Sequence, residues 1–365
     1  MSNNNSSRIH YPALDGLRGI AILLVVFYHN FEFINYFFFG WLGVDLFFVL
    51  SGFLITDILL KNYTKENFLK NFFTRRILRI LPLYFFFLFF FILVFGLIEP
   101  TFFNLEYYIN NQIWFWTYLQ NWLFIFNPIP ENTNALNHLW SLAVEEQFYI
   151  FSPFLVIIFK NPKTIFKALL ALLIIVICLR FLLWIFKIEN LAYYNLYTFT
   201  RIDGLCIGSM LAAIRIFNPE FITKNFTFAI FGLAGINFTF YFFNSNYHFS
   251  FPYLAIVGYT TFAILFALLI NDCLSNEKSF YNKILSLPIF RFFGTISYGL
   301  YIFHWPIYLI CVKTLTPKFL ENFPLVHSSI LTSVIAFQIA IILAYLSYNY
   351  FELHFLKLKK VIAAI

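Results

Sequence analysis

Apolar stretches of about twenty residues, separated by short polar connections, recur from "LDGLRGIAILLVVFYHN" (14–30) almost to the C-terminal end. A hydrocarbon layer roughly 30 Å thick takes about 20 helical residues to cross. The pattern repeats near 14–33, 41–60, 80–98, 142–159, 166–186, 202–217, 227–244, 252–270, 290–312 and 328–349. Only 11% of the residues are charged and 61% are hydrophobic, whereas a water-soluble domain carries roughly a quarter charged residues. The expectation is an all-α, polytopic membrane bundle of ten helices, with residues 1–365 as one integral-membrane domain. No internal repeat, low-complexity linker or second domain interrupts the pattern.

The net charge of +7 follows topology rather than a nucleic-acid partner, because the basic residues gather in alternate connections. An even number of spans puts both termini on one side. Eighteen of the 24 Lys and Arg residues fall on that side, four (Lys187, Arg201, Lys313, Lys318) on the other, and Arg18 and Arg180 inside spans. Cytoplasmic termini are therefore expected. The polar start "MSNNNSSRIHYPA" precedes an apolar run with no small-residue cleavage site, which reads as an uncleaved first span. Loop 99–141 then lies outside, and its Trp-rich segment 113–126 is too short to span and suits an interfacial or re-entrant helix. Cys178, Cys206, Cys273 and Cys311 show neither a CxxC pair nor disulfide spacing and read as small core residues.

Ionisable groups inside the apolar runs demand an explanation. Arg18 and His29 are eleven residues apart, about three turns and about 16 Å, and so share a face of the first helix. With the expected topology Arg18 is near the inner mouth and His29 in the outer half. Asp45, Glu145, Glu146, Arg180, Arg201, Asp203 and His304 fall at a similar outer depth. A charge facing lipid alone costs several kcal/mol, so one depth implies a shared, partly hydrated cavity. For Asp45, Glu145, Arg180 and Arg201 the alternative is a salt-bridge network that only joins helices. His304 could equally be a hydrogen-bonded core residue. On the opposite face Arg75, Arg76 and Arg79 stand at the start of the third span, with Arg76 and Arg79 on one helix face near the depth of Arg18. Grouped guanidiniums suit phosphate, and topology alone explains them as well. Ser51 and Gly52 read as close helix packing, for "VLSGF" has no nucleophile elbow. His10, His248, His327 and His354 receive no role, and no ligand spacing supports a metal.

Several motifs in fixed order give the chain a resemblance: "LDGLRGIAILLVVFYH", "GVDLFFVLSGFLI", "RRILRILPLY", "HLWSLAVEEQFY", "RIDGL", "ISYGLYIFHWPI" and "LSYNYFE". Together they resemble the acyltransferase 3 family of membrane-bound O-acyltransferases across nearly the whole chain. The resemblance implies ten spans and transfer of an acyl group from cytoplasmic acyl-CoA to carbohydrate such as lipopolysaccharide O-antigen or exopolysaccharide. It maps the family's first-span histidine onto His29, its first-span arginine onto Arg18, its RxxR pair onto Arg76 and Arg79, and its acidic pair onto Glu145 and Glu146. "YFELHFLK" keeps Glu352 but lacks the proline often found after it, and the fused esterase-like domain of some members is not expected within residues 1–365.

The expected mechanism has acetyl-CoA as donor cosubstrate, its phosphates on Arg18, Arg76 and Arg79, and no metal. His29 acts as general base or acyl carrier, and Asp45 or Glu145 orients its imidazole. Glu146, Arg201, Asp203, His304 and Trp140 are the substrate-binding candidates. Trp114, Trp116, Gln120, Asn121 and Trp122 offer aromatic platforms and amides for a sugar. The expected partners are acyl-CoA, a surface glycan or lipid-linked sugar, and the bilayer, with no nucleic acid. The excess of Phe, Ile, Asn, Lys and Tyr suits an AT-rich bacterial gene and an inner (plasma) membrane location. The rival class is a proton-coupled transporter of a sugar or small acid, against which the absent internal repeat counts. A lipid-linked assembly scaffold without chemistry would leave His29 idle.

Overall fold

The structure, a computed structural model, describes residues 11–95, 105–130, 134–188, 190, 192–243, 253–276 and 278–362. The polar start 1–10, His248 and the expected span ends 96–98, 244 and 252 lie outside the described residues. Ten long helices account for the architecture: α1 (Pro12–Asn30), α2 (Leu42–Asn62), α3 (Phe68–Leu88), α4 (Trp140–Phe159), α5 (Pro162–Ile185), α6 (Asp203–Phe217), α7 (Thr227–Phe243), α8 (Tyr259–Ser275), α9 (Pro288–Thr314) and α10 (Leu325–Leu346). Every element among the described residues is helical, as backbone groups in lipid require. Among the described residues eight helical stretches are long and apolar enough to cross a membrane. Thr227–Phe240 in α7 is apolar but shorter. α6 has only 15 residues, and its first half is buried by α2, α5 and α8 rather than by lipid. The chain is a multi-pass membrane protein.

α2 sits at the centre, with 72% of its apolar window buried, and α5 at the rim, with 22%. α1 packs along α9 and α2, and α2 along α6. Glycine permits the α1–α9 and α2–α6 approaches. A Cβ on Gly19 would overlap the carbonyl oxygen of Phe290 in α9, and one on Gly52 that of Leu205 in α6. Gly52 thus packs as its sequence context suggests.

α3 corrects one boundary. It begins at Phe68, twelve residues before the expected start near 80, so Arg75, Arg76 and Arg79 lie two turns or more inside the helix rather than at its mouth. The guanidiniums made that segment look like the mouth of the span. They are accommodated because Arg76 and Arg79 line an internal cavity, where protein and not lipid surrounds them. The segment 113–126 folds as two short helices, Gln112–Trp116 and Gln120–Phe126, packed against α3 and α4.

Candidate active site

A cavity of about 320 Å³ opens between α1, α2, α3, α4 and α9. Arg18, Arg76 and Arg79 line it together with Asp15, Glu145 and Glu146, so three guanidiniums face three carboxyl groups. Arg18 lies 3.9 Å from Asp15, one turn away on α1. Arg76 spans the rings of Phe72 and Tyr149, at 5.9 and 5.5 Å. Ser51 also lines the cavity, its hydroxyl 2.8 Å from that of Tyr149. Ser51 is therefore a cavity residue and not only a packing one, a correction to the reading of "VLSGF". Its neighbour Gly52 takes the packing role because α2 meets α6 on that other face.

Glu145 and Glu146 belong to this cavity. They were expected in the outer layer beside His29, but α4 starts at Trp140 after a tight turn, Asn137–Leu139, and carries both carboxyls down to the level of the arginines. Glu145 interacts electrostatically with Arg18, Arg76 and Arg79, and Glu146 with Arg76.

Ser141 and Tyr301, whose hydroxyls are 2.6 Å apart, line the cavity on the side of the histidines, away from Arg18. Three histidines follow. His29 Nδ1 is 2.9 Å from His304 Nε2, and His304 Nδ1 lies 2.7 Å from the Tyr301 carbonyl oxygen and 3.1 Å from that of Leu300. Carbonyl oxygens only accept, so His304 Nδ1 carries the hydrogen. With both rings neutral, His304 Nε2 must accept and His29 Nδ1 must donate, which leaves the lone pair of His29 Nε2 free. The Trp305 ring packs on His29 with centroids 4.9 Å apart. His304, expected as a substrate contact, is thus the partner that orients His29.

The third histidine is His138, whose ring centroid is 5.2 Å from that of His304. Pro306 explains its placement. A proline in α9 has no N–H for the carbonyl four residues earlier, so the Ile302 oxygen is released from the helix. His138 Nε2 is 3.2 Å from that oxygen and supplies the missing donor. The Tyr301 hydroxyl donates in turn to the His138 carbonyl oxygen at 2.5 Å. The sequence reading passed over His138, since no spacing links it to His29 or His304; the proline two residues after His304 was the available signal. Among the described residues no group of His, Cys, Asp and Glu is arranged to hold a metal ion.

The remaining candidates form a separate network. Asp45 Oδ1 accepts from Arg201 Nη2 at 2.9 Å, and Arg180 pairs with Asp203 at 2.9 Å. Arg180 also donates to the Thr200 carbonyl and to Thr260 Oγ1, which itself donates to Asp203. The Arg201 guanidinium lies 3.8 Å from the centroid of Tyr259 and 5.5 Å from that of Trp140. Asp45, Arg201, Asp203 and Trp140 therefore do not line the cavity, and Asp45 bonds Arg201 while the imidazole of His29 bonds His304. The expectation that Asp45 or Glu145 orients His29 is corrected accordingly: a desolvated carboxylate takes a guanidinium when one is in reach. The expected single hydrated layer resolves into a charged cavity, a buried ion-pair network and a histidine cluster.

Of the proposed sugar platform, Gln120 and Asn121 are fully buried and donate to the backbone carbonyls of Leu139 and Leu196. Their amides serve the non-helical connections between spans. Trp116 and Trp122 hydrogen-bond Gln112 and Gln147, and Trp114 packs against the core. Glu352 is buried under Gly299 and bonded to Ser347 at 3.1 Å.

The acyltransferase domain family matches residues 11–349, which includes the cavity and all three histidines. The peptidoglycan O-acetyltransferase OatA of Listeria monocytogenes is 33% identical over 95% of the chain. A Bacillus subtilis protein provisionally named a peptidoglycan O-acetyltransferase is 31% identical over 94% of it. A Staphylococcus aureus protein provisionally named an O-acetyltransferase is 32% identical over 95%. The chain spans a little over half the length of these relatives, 56%, 54% and 58% of each. No solved structure matches it. The match over residues 11–349, joined to relatives that align along almost the whole chain, shows that this protein belongs to the acyltransferase 3 family.

Proposed function

We propose that the protein is a membrane O-acetyltransferase that moves an acetyl group from acetyl-CoA to a hydroxyl of a cell-envelope carbohydrate, with His29 as general base. The observation that carries this reading is the 2.9 Å bond from His29 Nδ1 to His304, which presents the Nε2 lone pair as a proton acceptor. The relatives' names support O-acetylation, and two of them point to peptidoglycan rather than lipopolysaccharide or exopolysaccharide as the acceptor class.

The chemistry is a transfer between a thioester and an alcohol. The acceptor oxygen attacks the thioester carbonyl, its proton passes to His29 Nε2, the C–S bond breaks, and the proton leaves with the CoA sulfur. His304 holds the ring and shares the positive charge formed on His29. Arg18, Arg76 and Arg79 are the candidate phosphate ligands, and a donor phosphate would replace Asp15, Glu145 and Glu146 as their counter-charges. The distance supports the division of labour: Arg18 and His29 are about 16 Å apart along α1, a span suited to an extended pantetheine arm. Cytoplasmic termini, supported by the Lys and Arg distribution, and an inner (plasma) membrane location, supported by the residue bias of an AT-rich bacterial gene, belong to the same proposal.

The test is the mass of surface glycans from cells lacking the gene, complemented with wild-type or His29→Ala protein at matched membrane levels. Restoration of an acetyl-sized mass by wild type alone is expected. Equal restoration by both proteins would make His29 structural and end the mechanism.

A further inference from the structure

His138 has no place in that reaction, yet it is built into its centre. The residue is buried and held twice by α9: its Nε2–H donates to the Ile302 oxygen that Pro306 sets free, and its backbone carbonyl accepts from the Tyr301 hydroxyl. His304 stands between it and His29, with ring centroids 5.2 and 5.1 Å away. Because Nε2 faces a carbonyl and carries the hydrogen, Nδ1 is a bare lone pair. That atom is buried and has no partner among the described residues. A buried acceptor left without a donor costs about 1–3 kcal/mol, which a bound O–H or N–H would recover.

The kind of donor can be narrowed. A thioester carbonyl needs donors around it, so a bare acceptor does not serve the acyl group. The donor cavity ends at Ser141 and Tyr301, and His138 is not among the residues that line it. His138 sits instead at the junction of α4 with the connection that carries the short helices of 105–126. Its neighbour Asn137 also buries a side-chain oxygen that has no partner among the described residues. Two acceptors on one tight turn suit a molecule rich in hydroxyl groups.

We propose that His138 orients the carbohydrate acceptor, its Nδ1 accepting a hydrogen bond from an acceptor hydroxyl while His29 takes the proton from the reacting one. This rests on the acyltransferase reading above and adds a substrate-orienting residue to it.

Two substitutions separate the nitrogens. Gln places its terminal amide where Nε2 stands, so His138→Gln keeps a donor for Ile302 and removes the acceptor at Nδ1. Asn places its amide oxygen where Nδ1 stands, so His138→Asn does the reverse. Both full-length variants are expressed in the cells lacking the gene, and surface-glycan acetylation is measured per unit of membrane protein. Acetyl-CoA affinity is measured on the purified proteins. His138→Gln is expected to lose at least tenfold in acetylation with acetyl-CoA affinity within twofold of wild type, and His138→Asn to keep a third or more. Full activity of His138→Gln would overturn the proposal and leave His138 as a tie to Ile302. A tenfold loss of acetyl-CoA affinity in His138→Gln would overturn it in favour of a contact to the donor's amide groups. Equal loss in both folded variants would overturn it by requiring the imidazole itself. If His138→Asn does not accumulate, His138→Gln decides alone, by loss of acetylation at unchanged donor affinity. Failure of the underlying reading shows elsewhere, as full restoration of acetylation by His29→Ala.

Discussion

Asp45 and Arg201 allow the separation of the ion-pair network from the chemistry to be measured. Their side chains are 1% and 3% exposed, the bond between them is 2.9 Å, and Arg201 stacks on Tyr259 at 3.8 Å. Asp45→Ala leaves Arg201 charged and unpaired in a dry interior, at a cost of about 3–5 kcal/mol. The double variant Asp45→Leu with Arg201→Met removes both charges and keeps an unbranched chain over Tyr259. It should be within about 1–2 kcal/mol of wild type, giving a coupling of at least about 2 kcal/mol between the two sites. The assay is the thermal midpoint of purified protein in detergent, paired with glycan acetylation in the complemented cells. Asp45→Ala should lower the midpoint sharply and acetylate in proportion to the folded protein left. The double variant should recover both. A double variant that is stable yet as inactive as His29→Ala would refute the reasoning, because Asp45 would then act on His29.

Other consequences follow from single contacts. Gly52→Leu drives a side chain into the Leu205 carbonyl and should cost at least about 1–3 kcal/mol, whereas Gly232→Ala, with open space around it, should be neutral or stabilise α7 by up to about 1 kcal/mol in the same melt. Arg76→Ala should weaken acetyl-CoA binding by roughly 10- to 100-fold, the loss of one charge-assisted contact of about 1.5–3 kcal/mol, with normal protein levels in the membrane. His304→Ala removes the acceptor for His29 Nδ1 and should lower the transfer rate by about 10²-fold or more, and His304→Gln, whose amide oxygen can stand near Nε2, should recover part of it. Pro306→Ala returns an N–H to the Ile302 oxygen and displaces His138, so acetylation should fall while the melt shows α9 no less stable.

The spans were legible because lipid imposes length and composition on every crossing: all ten expected stretches overlap long helices. Depth was legible too, since rise per residue converts sequence position into height, and Arg18 does share a cavity with Arg76 and Arg79. Direction around each helix, and the neighbour it meets, was not. Asp45 was expected at the depth of His29, yet α2 turns it toward α6 and Arg201. Glu145 was misplaced because a 3-10 turn before Trp140 shifts the start of α4, a local choice with no periodic signature. The start of α3 was missed for a different reason. Arginines signal the end of a span only if they face lipid, and these face a cavity that five helices create together. His138 required two facts at once, a carbonyl freed by Pro306 and a turn from a distant segment that delivers a donor to it.

Tyr301 links the two halves of the proposed site in a way neither half shows alone. Its hydroxyl lies 2.6 Å from Ser141 and closes the arginine cavity, and its carbonyl, 2.7 Å from His304 Nδ1, fixes the tautomer that frees His29 Nε2. A donor arm running from Arg18 to His29 has to pass the Ser141–Tyr301 contact, for His29 is not among the residues that line the cavity. A change of χ1 at Tyr301 swings the hydroxyl away and opens that contact without moving its carbonyl, because the carbonyl belongs to the backbone of α9. The passage can therefore open while the base keeps its orientation. The same χ1 change withdraws the hydroxyl from the His138 carbonyl oxygen, 2.5 Å away, so under the proposed mechanism passage of a donor arm would loosen the turn that carries His138. Substitution by Phe isolates this link: it removes the hydroxyl from both Ser141 and His138 and leaves the carbonyl that orients His304 in place.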